Sequence, residues 1–537
     1  MMPHVGFYIL DVCSSEKVRE DIELTAILTF LKSASVEYRT IRISTETENV
    51  IRESMENINP EWVYIHVRDI VLIPGLVHLL TFLKKKESLI FVGGGSAIAI
   101  HASKILKSFH PIDAIIRSPE IEKVLLNLHT LRKNSQDWKK CSGIAYRSAS
   151  AKSKVIHTAY PPRSENLNHL SHTFFYDQYD SYDQCVAEKD WYSIISSSGC
   201  EYQCQYCGFW IPYSIGYKPG HSRWIKKEES VFLDEIEFLV SKGIRNFLFH
   251  CHQFFGSHEH MDYAFNLAQQ IIKRKLNIQF KFSAKPSLIN RNKSSLPLLK
   301  KAGLKSIYIG IDSGLPRFHR LYQTGSTVED CVAALELLHQ EGIDFESQFL
   351  FFDPYLTIEE IGDNLAFLKR ISVYFSHLPL PYCAYLDSRI FNSALVLRFG
   401  MPIIDRLRTD NLLVEYPRFS RHPAAKFMNS RTMVVYSIYR ALNSVFLKKL
   451  RSIFYDNTLV ERFDFIRLLP LTIMEEIVAS VERDESNPPD IRNQVTKIIQ
   501  CLYRMFEPSV KDIVSDFEKY RNLDQIFEIN YELENIV

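Results

Sequence analysis

Three cysteines within eight residues constrain this chain more than any other feature it has. The stretch Ser197-Ser198-Gly199-Cys200-Glu201-Tyr202-Gln203-Cys204-Gln205-Tyr206-Cys207-Gly208-Phe209-Trp210 follows directly on a strand-like run at 192–197. Soft thiolates at such short spacing wrap a loop around a metal centre, an iron–sulfur cluster above all. The count carries chemical meaning. Three thiolates leave one iron of a cubane open to an external ligand, whereas a fourth would close the site as structural zinc sites are closed. Two other readings stand beside this one: a zinc site completed by His221 or His250, and chance clustering. The other seven of the ten cysteines are scattered singly.

The pattern on either side of the loop is α/β. Strand-like runs at 5–10, 38–43, 62–67, 89–92 and 113–116 alternate with helical spacing at 22–32, 75–85, 102–109 and 120–129. Strands separated in this way by helices form a parallel, doubly wound sheet. Tyr160-Pro161-Pro162-Arg163 and the Tyr/Asp/His-rich run at 169–184 read as a linker. From Trp191 a second series begins, with strand-like runs at 192–197, 244–249, 278–282, 306–311, 346–351 and 381–386 and helices between them. Six such repeats fit a partial or complete parallel barrel. Beyond it the chain turns helical, the better candidates being 431–450, 471–482, 491–506 and 510–519. The expected domains are a doubly wound domain at 1–130, a linker at 131–190, a barrel at 191–395 and a helical region at 396–537.

Composition narrows the partners. With 64 basic and 63 acidic residues among 537, the chain has no electrostatic footprint for nucleic acid or an anionic membrane. No apolar run is long enough to span a bilayer, and Met1-Met2-Pro3-His4 leads into a strand without a signal peptide. The expectation is a cytoplasmic protein, a compartment in which thiols stay reduced and cysteines need a reason other than disulfides.

The Cys-x3-Cys-x2-Cys loop after the first barrel strand resembles the signature of radical S-adenosylmethionine enzymes. That resemblance implies a [4Fe-4S] cluster on Cys200, Cys204 and Cys207, whose open iron chelates S-adenosylmethionine before its reductive cleavage to a 5'-deoxyadenosyl radical. It implies an electron donor of the flavodoxin or ferredoxin kind, and it puts Tyr206 near the adenine. Ile309-Gly310-Ile311-Asp312-Ser313-Gly314 resembles the fourth-strand segment that approaches the nucleoside, with Gly310, Asp312 and Ser313 as its contacts. Asp312 stands where glutamate is usual. Phe351-Phe352-Asp353-Pro354 with Thr357 resembles a fifth-strand exit, and equally a turn followed by a helix cap. After the second strand the chain carries His250-Cys251-His252 in place of the family's acidic pair. If the strand continues, His250 and His252 share one face, and they are the candidate catalytic residues.

The order of parts, a small doubly wound domain followed by the barrel, resembles the cobalamin-binding branch of that family. By this resemblance Gly93, Gly94, Gly95 and Ser96, at the end of a strand, approach cobalamin. Asp11-Val12-Cys13-Ser14-Ser15 stands near where the axial-histidine motif Asp-x-His-x-x-Gly would fall, and Arg117-Ser118-Pro119-Glu120 stands where Gly-Glu-Gly-Glu is usual. Both are departures. The implied reaction is cobalamin-dependent methylation of an unactivated carbon in a small-molecule or peptide substrate. A radical rearrangement, cyclisation or epimerisation is the alternative, and a non-catalytic iron–sulfur or zinc protein is a third.

Overall fold

A computed structural model describes residues 7–13, 22–44, 60–150, 154–170, 191–208, 210–211, 223–256, 262–375, 401–442 and 463–483. The N-terminal strands are β1 (Phe7–Cys13), β2 (Tyr38–Ser44), β3 (Trp62–Val67), β4 (Leu89–Gly94), β5 (Ala114–Ile116), β6 (Ile144–Arg147) and β7 (Val155–His157). They form one sheet in the order β2-β1-β3-β4-β5-β6-β7. Pairing is parallel from β2 to β5 and antiparallel at β6 and β7. β3 is buried along its whole length, as a central strand covered on both faces must be. Helices Ile22–Ser33 and Ile121–Lys133 cover one face, and Val77–Lys85 and Ala102–Ser108 the other. The strand order reverses between β1 and β3, the switch point at which open sheets of this type bind ligands. β6 and β7 come from the span 131–190, so the sheet takes two strands from the segment read as a linker.

The second half contains β8 (Tyr192–Ile195), the short antiparallel pair β9 (Ser197–Gly199) and β10 (Trp224–Lys226), then β11 (Asn246–His250), β12 (Gln279–Ala284), β13 (Leu304–Asp312) and β14 (Asp344–Phe349). Five of these form an all-parallel sheet in the order β14-β13-β12-β11-β8. The strand expected at 381–386 lies outside the described residues. Alternation along the strands sorts the side chains cleanly. Phe247, Phe249, Phe280 and Phe282 are buried toward the helices, with Phe249 and Phe280 stacked at 4.7 Å between centroids. The other face keeps half-buried polar groups, among them Ser193, His250, Lys281, Ser283, Tyr308 and Glu346. Parallel sheets covered on both faces are apolar on both; a polar inner face leaves an interior able to take a polar guest.

Helices Val328–Glu341 and Ile358–Ile371 begin at capping boxes, Thr327 with Asp330 and Thr357 with Glu360. The run after Asp353 is thus the turn and cap its sequence allows. Helices Ser430–Leu442 and Phe463–Glu482 add Val435, Ile438, Met474 and Ile477 to the barrel's own core. The candidates at 491–506 and 510–519 lie outside the described residues. Between barrel and helices the chain returns to the N-terminal domain: Phe419 is fully buried in that domain's core, and His422 Nε2 meets Asp69 Oδ2 at 2.8 Å. Among the described residues no helix is long and apolar enough to cross a membrane.

Candidate active site

The cysteine loop leaves β9 at the C-terminal ends of the barrel strands and is held by backbone contacts on several sides. Cys207 N–H donates to the Cys204 carbonyl at 3.0 Å, and Trp210 Nε1 donates to the same oxygen at 3.2 Å. Gln205 N–H donates to the Tyr322 carbonyl, while the Gln205 carbonyl accepts from Ile403 N–H, each at 2.9 Å. The helical region thereby reaches the loop between its second and third cysteines. Gly325, at φ +75°, lets the loop close, since a Cβ there would stand 2.1 Å from the Tyr202 ring.

Lys285 follows β12 and points into the loop. Its Nζ lies over the Tyr202 ring at 5.2 Å and 4.0 Å from Asp312 Oδ2. Burial works against its charge, but the Cys204 and Cys200 sulfurs and the Asp312 carboxylate outweigh it and hold the ammonium above the ordinary lysine range. Burial pushes the Cys200 thiol up to about 12 and raises Cys204 as well, with Lys285 opposing both shifts. Thiols so enclosed ionise only against a strong positive charge, which a metal centre supplies. Among the described residues, one group of three metal-capable ligand atoms lies within 4.8 Å of one another, and the cysteines are not in it. Three soft thiols on one short loop, with a buried cation beside two of them, are the donors that a cluster with one open iron takes. The donor set therefore fits a cubane. His221, the other zinc ligand considered, lies outside the described residues.

Asp312 ends β13 at φ +64°, where the register with β14 shifts. This irregularity turns its carboxylate to the Tyr206 hydroxyl, which donates to Oδ2 at 2.7 Å. The Tyr206 ring packs on Tyr322 and Phe318, at 5.8 and 6.1 Å between centroids. Burial, followed by the Asp312 charge, raises its hydroxyl pKa well above the usual value. Gly310 leaves ordinary contact distance, 3.5 Å, between an added Cβ and Asp312 Oδ1. Ser313 is different. It is fully buried, its hydroxyl engaged with Asn364 Oδ1 at 3.3 Å and with Leu315 N–H at 3.3 Å. Its local role is to shape the turn after β13.

β11 stops at His250, so strand alternation does not set the relation of His250 to His252. His252 instead reaches back to the cysteine loop, its Nδ1 accepting the Gly199 N–H at 3.1 Å. Burial and the neighbouring His250 lower its pKa to about 4, so the ring is neutral and carries its proton on Nε2. It is deeply enclosed yet keeps some accessible surface, as a group facing an internal space does.

In the N-terminal domain, Gly94 and Gly95 lack side chains for the protein's own sake. A Cβ on Gly94 would stand 2.3 Å from the Val67 carbonyl, and one on Gly95 2.2 Å from that of Arg68. The exits of β3 and β4 run against each other there. Gly93 is crowded by Tyr64 and Ile116 at 3.2 Å, and Ser96 opens the short helix Ser96–Ile100. Sequence reasoning missed Lys285 altogether. Its one signal was a lysine just after a barrel strand, too common a pattern to single out.

Comparison with known proteins places these parts. Residues 194–368 match the radical SAM superfamily model. The anaerobic magnesium-protoporphyrin IX monomethyl ester cyclase of Rubrivivax gelatinosus is 25% identical over 310 residues, which cover 57% of this chain and 53% of that protein. The chain thus spans about half the length of that relative. Among solved structures, the cobalamin-dependent S-adenosylmethionine radical enzyme OxsB, with aqua-cobalamin and S-adenosylmethionine bound, superposes with a TM-score of 0.66 at 16% identity, covering 93% of this chain and 75% of its own. The radical S-adenosylmethionine methyltransferase TsrM from Kitasatospora setae gives 0.53 at 18% identity, covering 68% and 71%. The matched domain, the three-thiol loop within it and the shared architecture converge: residues 194–368 form a radical S-adenosylmethionine domain, set in a chain with the fold of the cobalamin-dependent enzymes OxsB and TsrM.

Proposed function

We propose that the protein methylates an unactivated carbon of a polar biosynthetic substrate, using a [4Fe-4S] cluster on Cys200, Cys204 and Cys207, S-adenosylmethionine, and cobalamin over the C-terminal ends of β1, β3 and β4. The observation that carries this reading is the pairing, in one chain, of a three-thiol loop at a barrel mouth with a sheet of order β2-β1-β3-β4-β5. When bound, these cofactors supply the electron, the nucleoside radical and the methyl carrier.

The chain's own residues bind, orient and exclude water. Lys285 keeps a fixed positive charge beside Cys200 and Cys204 and steadies Asp312. Asp312, aimed by Tyr206, offers a carboxylate to nucleoside hydroxyls, with the Gly310 backbone alongside. His252 keeps the loop's first cysteine in place through Gly199 and presents a neutral Nε2–H donor, with His250 beside it. Lys281 and Glu346, 3.8 Å apart on the polar inner face, suit a substrate with hydrogen-bonding groups of either sign. The chain segment Gly93–Ser96 is the proposed contact for cobalamin through its backbone. The cytoplasm is the proposed compartment, since the loop works only with reduced thiols, and a flavodoxin- or ferredoxin-like donor is the proposed reductant.

The test is product analysis after anaerobic reconstitution. Methylation yields S-adenosylhomocysteine together with 5'-deoxyadenosine; the reading fails if nucleoside cleavage never exceeds that of a Cys204→Ala control. Uptake of hydroxocobalamin, followed by its visible spectrum, tests the cobalamin assignment separately. The likeness to a cyclase favours one second reading, radical ring formation or rearrangement without methyl transfer. That reaction gives 5'-deoxyadenosine and no S-adenosylhomocysteine.

A further inference from the structure

A second cluster of ligand-type side chains lies far from the cysteines in sequence, at the seam between the two domains. Helix Ile121–Lys133 begins just after β5, with Glu120 at its N-cap and Glu122 in its first turn, 6% and 3% exposed. The linker brings His169 against them. One ligand atom from each of the three lies within 4.8 Å of the other two. Their polar contacts are few. His169 Nε2 meets Glu122 Oε1 at 2.9 Å. Glu120 Oε1 accepts the Ser164 N–H at 2.9 Å and stands 3.2 Å from Lys123 Nζ, a side chain 29% exposed. Among the described residues Glu120 Oε2 finds no hydrogen-bond partner, although it is buried. A buried carboxylate oxygen left without a donor is costly, and a bound cation is one group that removes that cost.

The linker around His169 is fastened on its other side to the barrel. Leu167 N–H donates to the Lys226 carbonyl at 2.9 Å, Glu228 N–H to Asn168 Oδ1 at 2.9 Å, and Asn166 Nδ2 to Glu228 Oε1 at 3.3 Å. An apolar cluster of Ala26, Leu167, Ile195 and Ile225 fills the seam beneath. The short stretch 164–170 is therefore the strap that joins the barrel to the N-terminal domain, and the three ligands sit at its buckle.

We propose that Glu120, Glu122 and His169 bind one divalent first-row cation, which clamps the strap and so fixes the barrel relative to the N-terminal domain. Two carboxylates and one imidazole form a mixed oxygen–nitrogen set, suited to manganese, iron or zinc rather than to calcium. On binding, the cation replaces the His169–Glu122 hydrogen bond, with His169 offering the Nε2 lone pair and keeping its ring proton on Nδ1, and Oε2 of Glu120 gains its partner. The inference does not depend on which reaction the barrel performs.

The probe is Mn2+, a hard ion that leaves thiolate ligands alone, added to the full-length, cluster-loaded protein. The expected result is one stoichiometric equivalent withdrawn from the free-ion electron paramagnetic resonance signal, with pulsed spectra of the bound ion showing coupling to one imidazole nitrogen. The double variant Glu122→Gln/His169→Gln should take up no stoichiometric Mn2+ while keeping its full iron content. A wild-type protein that binds no more Mn2+ than the variant overturns the proposal and leaves water as the partner of Glu120. Bound Mn2+ without nitrogen coupling in the wild type overturns it too, whether or not the variant folds.

Discussion

Lys285 sets the electrostatics of the cysteine loop, and its replacement has a predictable sign. Removing a cation beside two proposed cluster ligands disfavours the added electron, so Lys285→Met should lower the cluster's midpoint potential, by tens of millivolts on the order expected for one charge in a partly buried site. A redox titration followed by electron paramagnetic resonance reads this directly; an unchanged potential would remove Lys285 from the site. His252 makes a separate prediction. Its pKa is depressed to about 4 in the folded protein, against about 6.5 for an unperturbed histidine. Between those values the unfolded chain binds more protons, so the stability contributed by the neutral ring is present above pH 6.5 and declines as pH falls toward 4. The loss is at most roughly 3 kcal/mol. Denaturant titrations at pH 5 and 7.5 should show it, and His252→Asn, which keeps an acceptor for Gly199, should flatten the difference.

At the scale of elements, close approach fixes what a helix or strand exit tolerates. Gly314 follows β13 where helix Ile358–Ile371 comes so near that an added Cβ would lie 2.5 Å from Phe367 Cβ. Gly314→Ala should cost about 1–3 kcal/mol by overpacking, seen as a lower urea midpoint, and it should also disturb Asn364, which accepts the Gly314 N–H at 3.0 Å. Strand identity was largely legible in advance at this scale. The expected runs at 62–67 and 113–116 correspond to β3 and β5 within a residue, because continuous apolar stretches bounded by turn residues leave little choice. Two things were not legible. The register shift that turns Asp312 toward Tyr206 is a property of how β13 lies on β14, and nothing in Ile309-Gly310-Ile311-Asp312 announces it. The end of β11 at His250 is likewise decided by where β8 stops pairing, through His250 opposite Ile195.

Across the whole molecule, the C-terminal region ties the two domains together as well as extending the barrel core. Phe419, from the stretch between barrel and helices, sits at φ +59° with its ring against Phe109 and His101 of the N-terminal domain. A bulky residue held in the left-handed region signals that the surroundings dictate its conformation. Phe419→Ala should therefore release this contact. We expect faster hydrogen exchange in 98–109 and a loss of roughly 3–5 kcal/mol in the stability of the docked state, with the cluster's iron content unchanged. Unaltered exchange would mean that Phe419 is not what holds the two domains together, leaving that task to the strap, the seam cluster and the His422–Asp69 contact.

What the sequence determined by itself was local chemistry and period: three thiols close together on one loop, two series of strands alternating with helices, and a near-even balance of 64 basic and 63 acidic residues. Those signals survive because spacing along the chain already fixes which groups a loop can bring together and which face a strand buries. Only the tertiary structure could bring Lys285 to Cys204, Tyr206 to Asp312, or His169 to Glu120 and Glu122. The members of each pair lie 47 or more positions apart, 106 for Tyr206 and Asp312 and 47 for Glu122 and His169. Such contacts depend on how sheets and helices pack, and packing is a property of the assembled core that no short stretch of sequence carries.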